Sequence, residues 1–463
     1  MMKNKLFAVL LTLNFAIPAF GQTVVDTLSW GQFKEVLMTY HPIVARANLN
    51  NSLAKARLLQ AWGNFEPKLS YNYDQKRFGG TNYYRFSTPE VKLPLWYGVE
   101  LKGNFSEAEG AYLNPENKLP QEGLSFVGLN ISLGKGLLMD KRRAVMKQAR
   151  IFTEATTNEQ LRILNDLVFE AGEAYLNWQN QYRISQVFEQ ALALSTVRYQ
   201  AVKEGLSGGD RPAIDTVEAL TQLQQREVQL LEARLELQNS LYEISSFLWL
   251  PENQPVDPQK LSIVPQSVAV ILPGNLDASI NNNPKLISYG FKLRDLEIER
   301  RLKAENLRPT IDLQLGILNR GSNAFRNLDV PYGQNNNKIG IQVAFPLTFA
   351  TARGELAEAR IKLRDTRLEE SLVRNDLNVK LNQNNAEKET LRSQLVLIRQ
   401  SLEANQKLLE GEELRFKFGD SSLFLVNARE SKLLEIQEKL IATENKIRKN
   451  WLKGEWIVGG LIK

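Results

Sequence analysis

Apolar positions along this chain follow two rhythms, and the change from one to the other occurs twice in the same order. From Met139 to Glu204 there is no proline and one glycine, Gly172, while Leu161, Leu164, Val168, Ala171, Tyr175, Trp178 and Tyr182 recur at spacings of 3,4,3,4,3,4. Such a heptad seam predicts a long helix over 140–204 that lies against a neighbour for most of its length. Leu391, Leu395, Ile398, Leu402 and Leu409, with polar Asn405 among them, predict a second long helix over 351–417. At ~1.5 Å per residue, a helix of about 64 residues spans about 96 Å. Strict alternation precedes each. Ile311, Leu313, Leu315 and Ile317 alternate with Asp312, Gln314 and Gly316; Ile339, Ile341, Val343 and Phe345 alternate with Gly340, Gln342 and Ala344. In the first half Leu69, Tyr71 and Tyr73 lead, and Val127, Leu129, Ile131 and Leu133 return. Period-two segments of this kind predict strands with one apolar face, over 68–133 and 310–346.

The order of events repeats with a fixed offset. His41-Pro42 and Asn283-Pro284 each open a helix, Pro67-Lys68-Leu69 and Pro309-Thr310-Ile311 each lead into a strand, and both proline pairs stand 242 positions apart. The offset falls to 212 at Gly128 and Gly340, so the first half carries 30 additional residues between its strands. This insert includes Trp96–Phe105, which also alternates; it either adds a hairpin or lengthens the strands. Shorter helices follow each long one, over 212–248 and 422–453. The pattern predicts a duplicated domain: residues 22–250 as the first repeat, a proline-rich connector over 251–275, residues 276–456 as the second repeat with its first helix over 284–306, and a tail over 457–463. The helix before the strands and the helix after the turn together match one long helix in length, which points to a helical tube with the connector as a belt outside it.

Composition decides where such an object resides. Lys3 and Lys5 precede the apolar run Leu6 to Ile17, and Ala19-Phe20-Gly21 offers small residues for cleavage before Gln22, so residues 1–21 are expected to be a secretory signal peptide. There is no cysteine, hence no disulfide, thiolate metal site or lipid-anchored cysteine. No run of 18 apolar residues follows Gln22, so a membrane could be crossed only by strands. The formal charge of +6 becomes +4 without Lys3 and Lys5. Its interleaving, as in Glu358-Ala359-Arg360 and Glu435-Ile436-Gln437-Glu438-Lys439, is that of a solvated helix face and not a nucleic-acid stripe. The one histidine, His41, begins a helix and is expected to cap it. No HExxH, phosphate loop or Cys/His cluster is present, so neither catalysis, nor a metal, nor a cofactor is expected.

With these features in place, the chain resembles the TolC-type outer-membrane efflux proteins. The resemblance rests on the Asn/His-Pro helix starts, the proline before each strand, and the Phe345-Pro346-Leu347 exit into the second long helix. It also rests on two turns: Arg415-Phe416-Lys417-Phe418-Gly419-Asp420-Ser421-Ser422, and Arg198-Tyr199-Gln200-Ala201 through Gly205 to Ile214-Asp215-Thr216-Val217-Glu218-Ala219. It implies a mostly α protein with membrane β structure. In such a homotrimer each chain gives four strands to a shared 12-stranded barrel in the outer membrane of a Gram-negative bacterium. The helices form a coiled-coil tunnel through the periplasm, whose tip meets an adaptor protein and an inner-membrane pump. At the tip the family uses carboxylates with aromatic or arginine partners to hold the closed state and select cations. That implies gate or selectivity roles for Asp210, Arg211, Asp215, Glu218 and Asp420, although Leu425 and Ala428 stand where some members have paired aspartates. Helix capping remains the alternative for the acids. The same turns, with Gly205, Gly208, Gly209, Arg415, Phe416, Gly419 and Ser421, are the expected adaptor-docking surface. The glycines are expected to serve positive φ, and the first turn to be about five residues longer than the second. A competing reading is a periplasmic adaptor or scaffolding coiled coil without a pore, which predicts one helical hairpin flanking a β-sandwich.

Overall fold

The computed structural model describes residues 26–209, 211–260, 263–266, 279–326 and 330–462. The signal-peptide expectation for 1–21, much of the connector, and Asp210 lie outside the described residues. Strand β1 (Asp26–Leu28) leads to α1 (Trp30–Tyr40), α2 (Pro42–Trp62), β2 (Lys68–Phe78), β3 (Thr81–Pro94), β4 (Val99–Glu109), β5 (Leu124–Ser132), α3 (Lys141–Ser207) and α4 (Ala213–Ser245). Short strands β6 (Trp249–Leu250), β7 (Gln254–Pro255) and β8 (Ile263–Pro265) follow. Then come α5 (Pro284–Glu305), β9 (Thr310–Arg320), α6 (Val330–Asn335), β10 (Asn337–Ala344), α7 (Ala350–Lys417) and α8 (Leu423–Val458). The long helices α3 and α7 have 67 and 68 residues.

Each long helix is accompanied by two others, α3 by α2 and α4, and α7 by α5 and α8, while α5 and α8 also lie against α3. The seams follow the predicted heptads. Leu164, Val168, Ala171, Tyr175 and Trp178 are buried on α3, as are Leu391, Leu395, Ile398 and Leu409 on α7. His41 caps its helix as expected, its Nδ1 accepting the Ile43 N–H at 3.2 Å, and Asn283 does the same at the matching start, its Oδ1 accepting the Lys285 N–H at 2.8 Å. The main core gathers where α1, α3 and α8 meet, around Phe33, Leu37, Tyr175 and Trp178. Here β1 pairs in parallel with β8, and β6 antiparallel with β7, giving the connector regular pairing.

Two expectations need correction. The last helix does not end at 453: α8 runs to Val458, Gly459 ends it with φ +76, and Ile457 and Leu461 are buried. The large sheet has six strands rather than the four implied by the resemblance. They form one sheet in the order β10-β9-β5-β4-β3-β2, antiparallel throughout. The insert adds a hairpin, β3–β4, within the sheet.

The register gives the sheet two unlike faces. Leu69, Val91, Leu101, Leu129, Leu315 and Ile339 lie on one face, joined there by Ile341, Val343, Leu313 and Ile131. The other face holds Ser70, Glu90, Lys92, Lys102, Asn104, Asn130, Gln314 and Gln342. Large apolar side chains stand free on the first face, with Leu69 at 78 % and Ile341 at 69 % exposure.

Candidate functional site

The two turns joining α3 to α4 and α7 to α8 lie side by side at the end of the helices away from the sheet. Val202, Ala219 and Leu423 form a buried cluster there, packed by Tyr199 and Phe416. Each turn occupies five residues, 208–212 and 418–422, so the expected difference in length is absent. The reason lies at Gly205. Helix α3 continues through it to Ser207, and a Cβ there would meet Arg211 Cγ at 2.9 Å, so this glycine makes room for the arginine stem. The positive-φ expectation holds for Gly209 (φ +81) and Gly419 (φ +83). It fails for Gly205 and for Gly208, a C-cap at φ −79.

Arg211 lies over the Phe416 ring, 4.1 Å from its centroid, and so ties the first turn to the second. Phe416, expected as a docking residue, is thereby half-buried in the tip. Phe418 beside it is exposed instead at 72 %, Phe424 is exposed as well, and Ile214 and Val217 stand out from the start of α4. Asp420 acts through its backbone, its N–H donating to the Arg415 carbonyl at 2.9 Å and its carbonyl accepting from Arg415 Nη2 at 3.1 Å. Ser421 Oγ donates to Glu412 at 2.6 Å. That bond, with the Arg415 and Arg429 guanidinium groups at 3.6 and 3.7 Å, holds the Glu412 carboxyl below the usual range. Asp215 sits in the first turn of α4, whose N-cap is Pro212 and carries no side-chain cap. Ser422 caps α8 by accepting the Leu425 N–H.

Above the turns is an ionic cluster that sequence reading did not find. Glu218 accepts from Asn427 Nδ2 at 3.1 Å. Arg198 reaches Glu430 and, at 3.3 Å, Glu413. Arg226, 1 % exposed, donates to Ser431 Oγ at 2.8 Å and stands 3.8 Å from the same Glu430. Burial lowers the Arg226 pKa, Glu430 opposes this, and the Arg198 charge adds to the lowering. One carboxylate on α8 thus holds guanidinium groups from α3 and α4. A second such node lies higher, where Glu444 on α8 meets Arg183 of α3 at 2.9 Å and Arg399 of α7 at 3.2 Å. The Asn384 and Asn450 side chains donate to each other's backbone carbonyls at 2.8 and 3.0 Å, joining α7 to α8. Among the described residues, no group of three or more His, Cys, Asp or Glu is arranged to hold a metal ion, and no helix is long and apolar enough to cross a membrane.

The arrangement of paired long helices over a two-faced sheet matches solved structures across nearly the whole chain. The Campylobacter jejuni CmeC outer membrane channel superposes with a TM-score of 0.66 at 14 % identity, covering 93 % of this chain and 85 % of that one. The Vibrio cholerae outer membrane protein VceC gives 0.65 at 14 % identity, covering 94 % and 97 %. The open-state Neisseria gonorrhoeae MtrE outer membrane channel gives 0.65 at 13 % identity, covering 94 % and 89 %. The chain has the TolC-type channel fold. No family model and no curated protein matches it by sequence. At these identities the likeness is one of architecture, and the side chains at the tip are this chain's own.

Proposed function

We propose that the chain is an outer-membrane channel, the exit duct of a tripartite efflux or type I secretion system, and not an enzyme. The observation that carries this reading is the continuous apolar face across all six strands, on a sheet continuous with helices of 67 and 68 residues. An exposed apolar face on an antiparallel sheet suits lipid, and an open sheet edge does not. The first strand leaves the helices and the last returns, so β10 of one copy can pair antiparallel with β2 of the next and close a ring. In a homotrimer, three times six gives eighteen strands, a wall of the size that leaves a water-filled lumen. The helices then form a periplasmic tunnel from two related repeats per chain, open to an adaptor protein and inner-membrane pump at the tip. A non-pore adaptor built as one hairpin on a β-sandwich fits neither the sheet nor the two long helical pairs.

At the tip, Asp215 in three copies forms a carboxylate ring that attracts cations, with Arg211, Glu218 and Asp420 setting the conformation of the turns. Asp210 belongs to the same turn. Exposed Phe418 and Phe424 join Gly209, Arg415, Gly419 and Ser421 as the docking surface. Purified protein in planar bilayers should give discrete conductance steps, with a cation preference that falls in Asp215→Asn. A folded, membrane-inserted protein that passes no current in either form would end the channel reading.

A further inference from the structure

The polar face of the sheet carries a line of lysines that the helical part does not account for. Along the register Lys68 of β2 stands opposite Lys92 of β3, and Lys92 opposite Lys102 of β4. Lys102 stands opposite Gly128 of β5, Gly128 opposite Gly316 of β9, and Gly316 opposite Lys338 of β10. Like charges directly opposite each other destabilise a sheet, so this row calls for a compensating use. Glu90, nearly buried at 8 % exposure, contacts Lys92 and Lys102 at 2.6 Å each. Glu100, two residues before Lys102 on the same face, is a second carboxylate acting on Lys92, and the four lysines of the row still leave a net positive charge. Lys68 and Lys338 are exposed and make no ion pair among the described residues. Asp312, farther along the face, is engaged by Ser132 Oγ at 2.8 Å.

In the middle of the row no side chain projects. A Cβ on Gly128 or Gly316 would collide with the Phe126 ring, which occupies the space beside both, and Lys338 Nζ sits 5.9 Å from that ring's centroid. The row is thus a cationic strip with an apolar centre. Lys92, Lys102 and Glu90 all belong to the β3–β4 hairpin, for which the second half of the chain has no counterpart.

Resting on the channel reading, we propose that this lysine row, to which the β3–β4 hairpin contributes Lys92 and Lys102, is a specificity element. With the apolar face in lipid, the lysine row faces the lumen, running obliquely from the helix end of β2 to the far end of β10, and it favours passage of anionic solutes, those bearing carboxylate or phosphate groups. A charged strip on a low-dielectric wall concentrates counter-ions and biases permeation towards them.

The test is the reversal potential of the full-length protein in planar bilayers across a potassium chloride gradient, in an Asp215→Asn background so that the tip carboxylates do not set the ratio. In Lys68→Gln/Lys338→Gln the permeability of chloride relative to potassium should fall by about threefold. In Lys68→Arg/Lys338→Arg it should be kept, and in Glu90→Gln, which releases two lysines, it should rise. An unchanged ratio in the glutamine variant, or an equal fall in the arginine variant, overturns the proposal while leaving the channel intact. Absence of current from every form overturns the channel reading, and the specificity element with it.

Discussion

His41 and Asn283 hold the same post at the starts of α2 and α5, each taking a backbone N–H two residues on. They differ in what acid does to them. His41 is 7 % exposed, and burial lowers its pKa from the ordinary 6.5. Its neutral Nδ1 accepts the Ile43 N–H, whereas a protonated ring would present a donor to a donor. The unfolded chain therefore binds the proton first, and stability present above pH 6.5 is lost as pH falls from there through the lowered folded value. His41→Asn should keep the cap, since Asn is among the best N-cap residues, and flatten this slope. Urea midpoints between pH 7.5 and 5 would show it, and a slope that persists in the variant would remove His41 as its cause. This role was legible in the sequence because a cap and its helix are neighbours in the chain. The Arg198–Glu430–Arg226 cluster was not, because its members come from three helices and look in sequence like ordinary solvated charges.

Helix pairing is where those hidden charges act. Glu430 lies between two guanidinium groups, one 1 % exposed, and its own side chain is 3 % exposed. Removing one partner of a buried ionic cluster leaves uncompensated charge, at a cost of about 3 kcal/mol. Glu430→Ala should lower the unfolding midpoint by an equivalent amount. Arg226→Met/Glu430→Leu, which replaces charge by apolar volume, should recover most of it. A double variant as unstable as Glu430→Ala would mean that lost packing, not stranded charge, sets the cost. The seams and helix limits were readable at this scale because heptad spacing is local. The α3 end was misread because Gly205 signals a turn by composition, and only the Arg211 side chain, returning from beyond the turn, explains a glycine inside the helix. The β3 strand escaped notice for a related reason: Glu90, Lys92 and Pro94 do not look like a strand until Lys102 of the next strand is placed beside them.

At the scale of the whole molecule the open question is closure, since the sheet ends in two unpaired edges. β2 is exposed along all eleven residues and β10 along nearly all of its eight. Six strands, an even number, leave the edges running in opposite directions, so one rotation repeated head to tail keeps every pair antiparallel and closes without a seam. A sheet with an odd count would have forced one parallel joint per copy. The chain contains no cysteine, so an engineered pair reports on one contact alone. Tyr71 on β2 and Ile339, Ile341 and Val343 on β10 lie on the same apolar face. Tyr71→Cys combined in turn with cysteine at each of these three positions samples the registers that bring the two edges together. One combination should oxidise readily, with a covalent trimer as the largest species on a denaturing gel, because a closed ring has no free edge from which to grow. A ladder continuing past the trimer would mean that the rotation does not close at three. No cross-link at any register would mean that β2 and β10 of neighbouring copies do not meet, and an eighteen-stranded wall would then have to be abandoned.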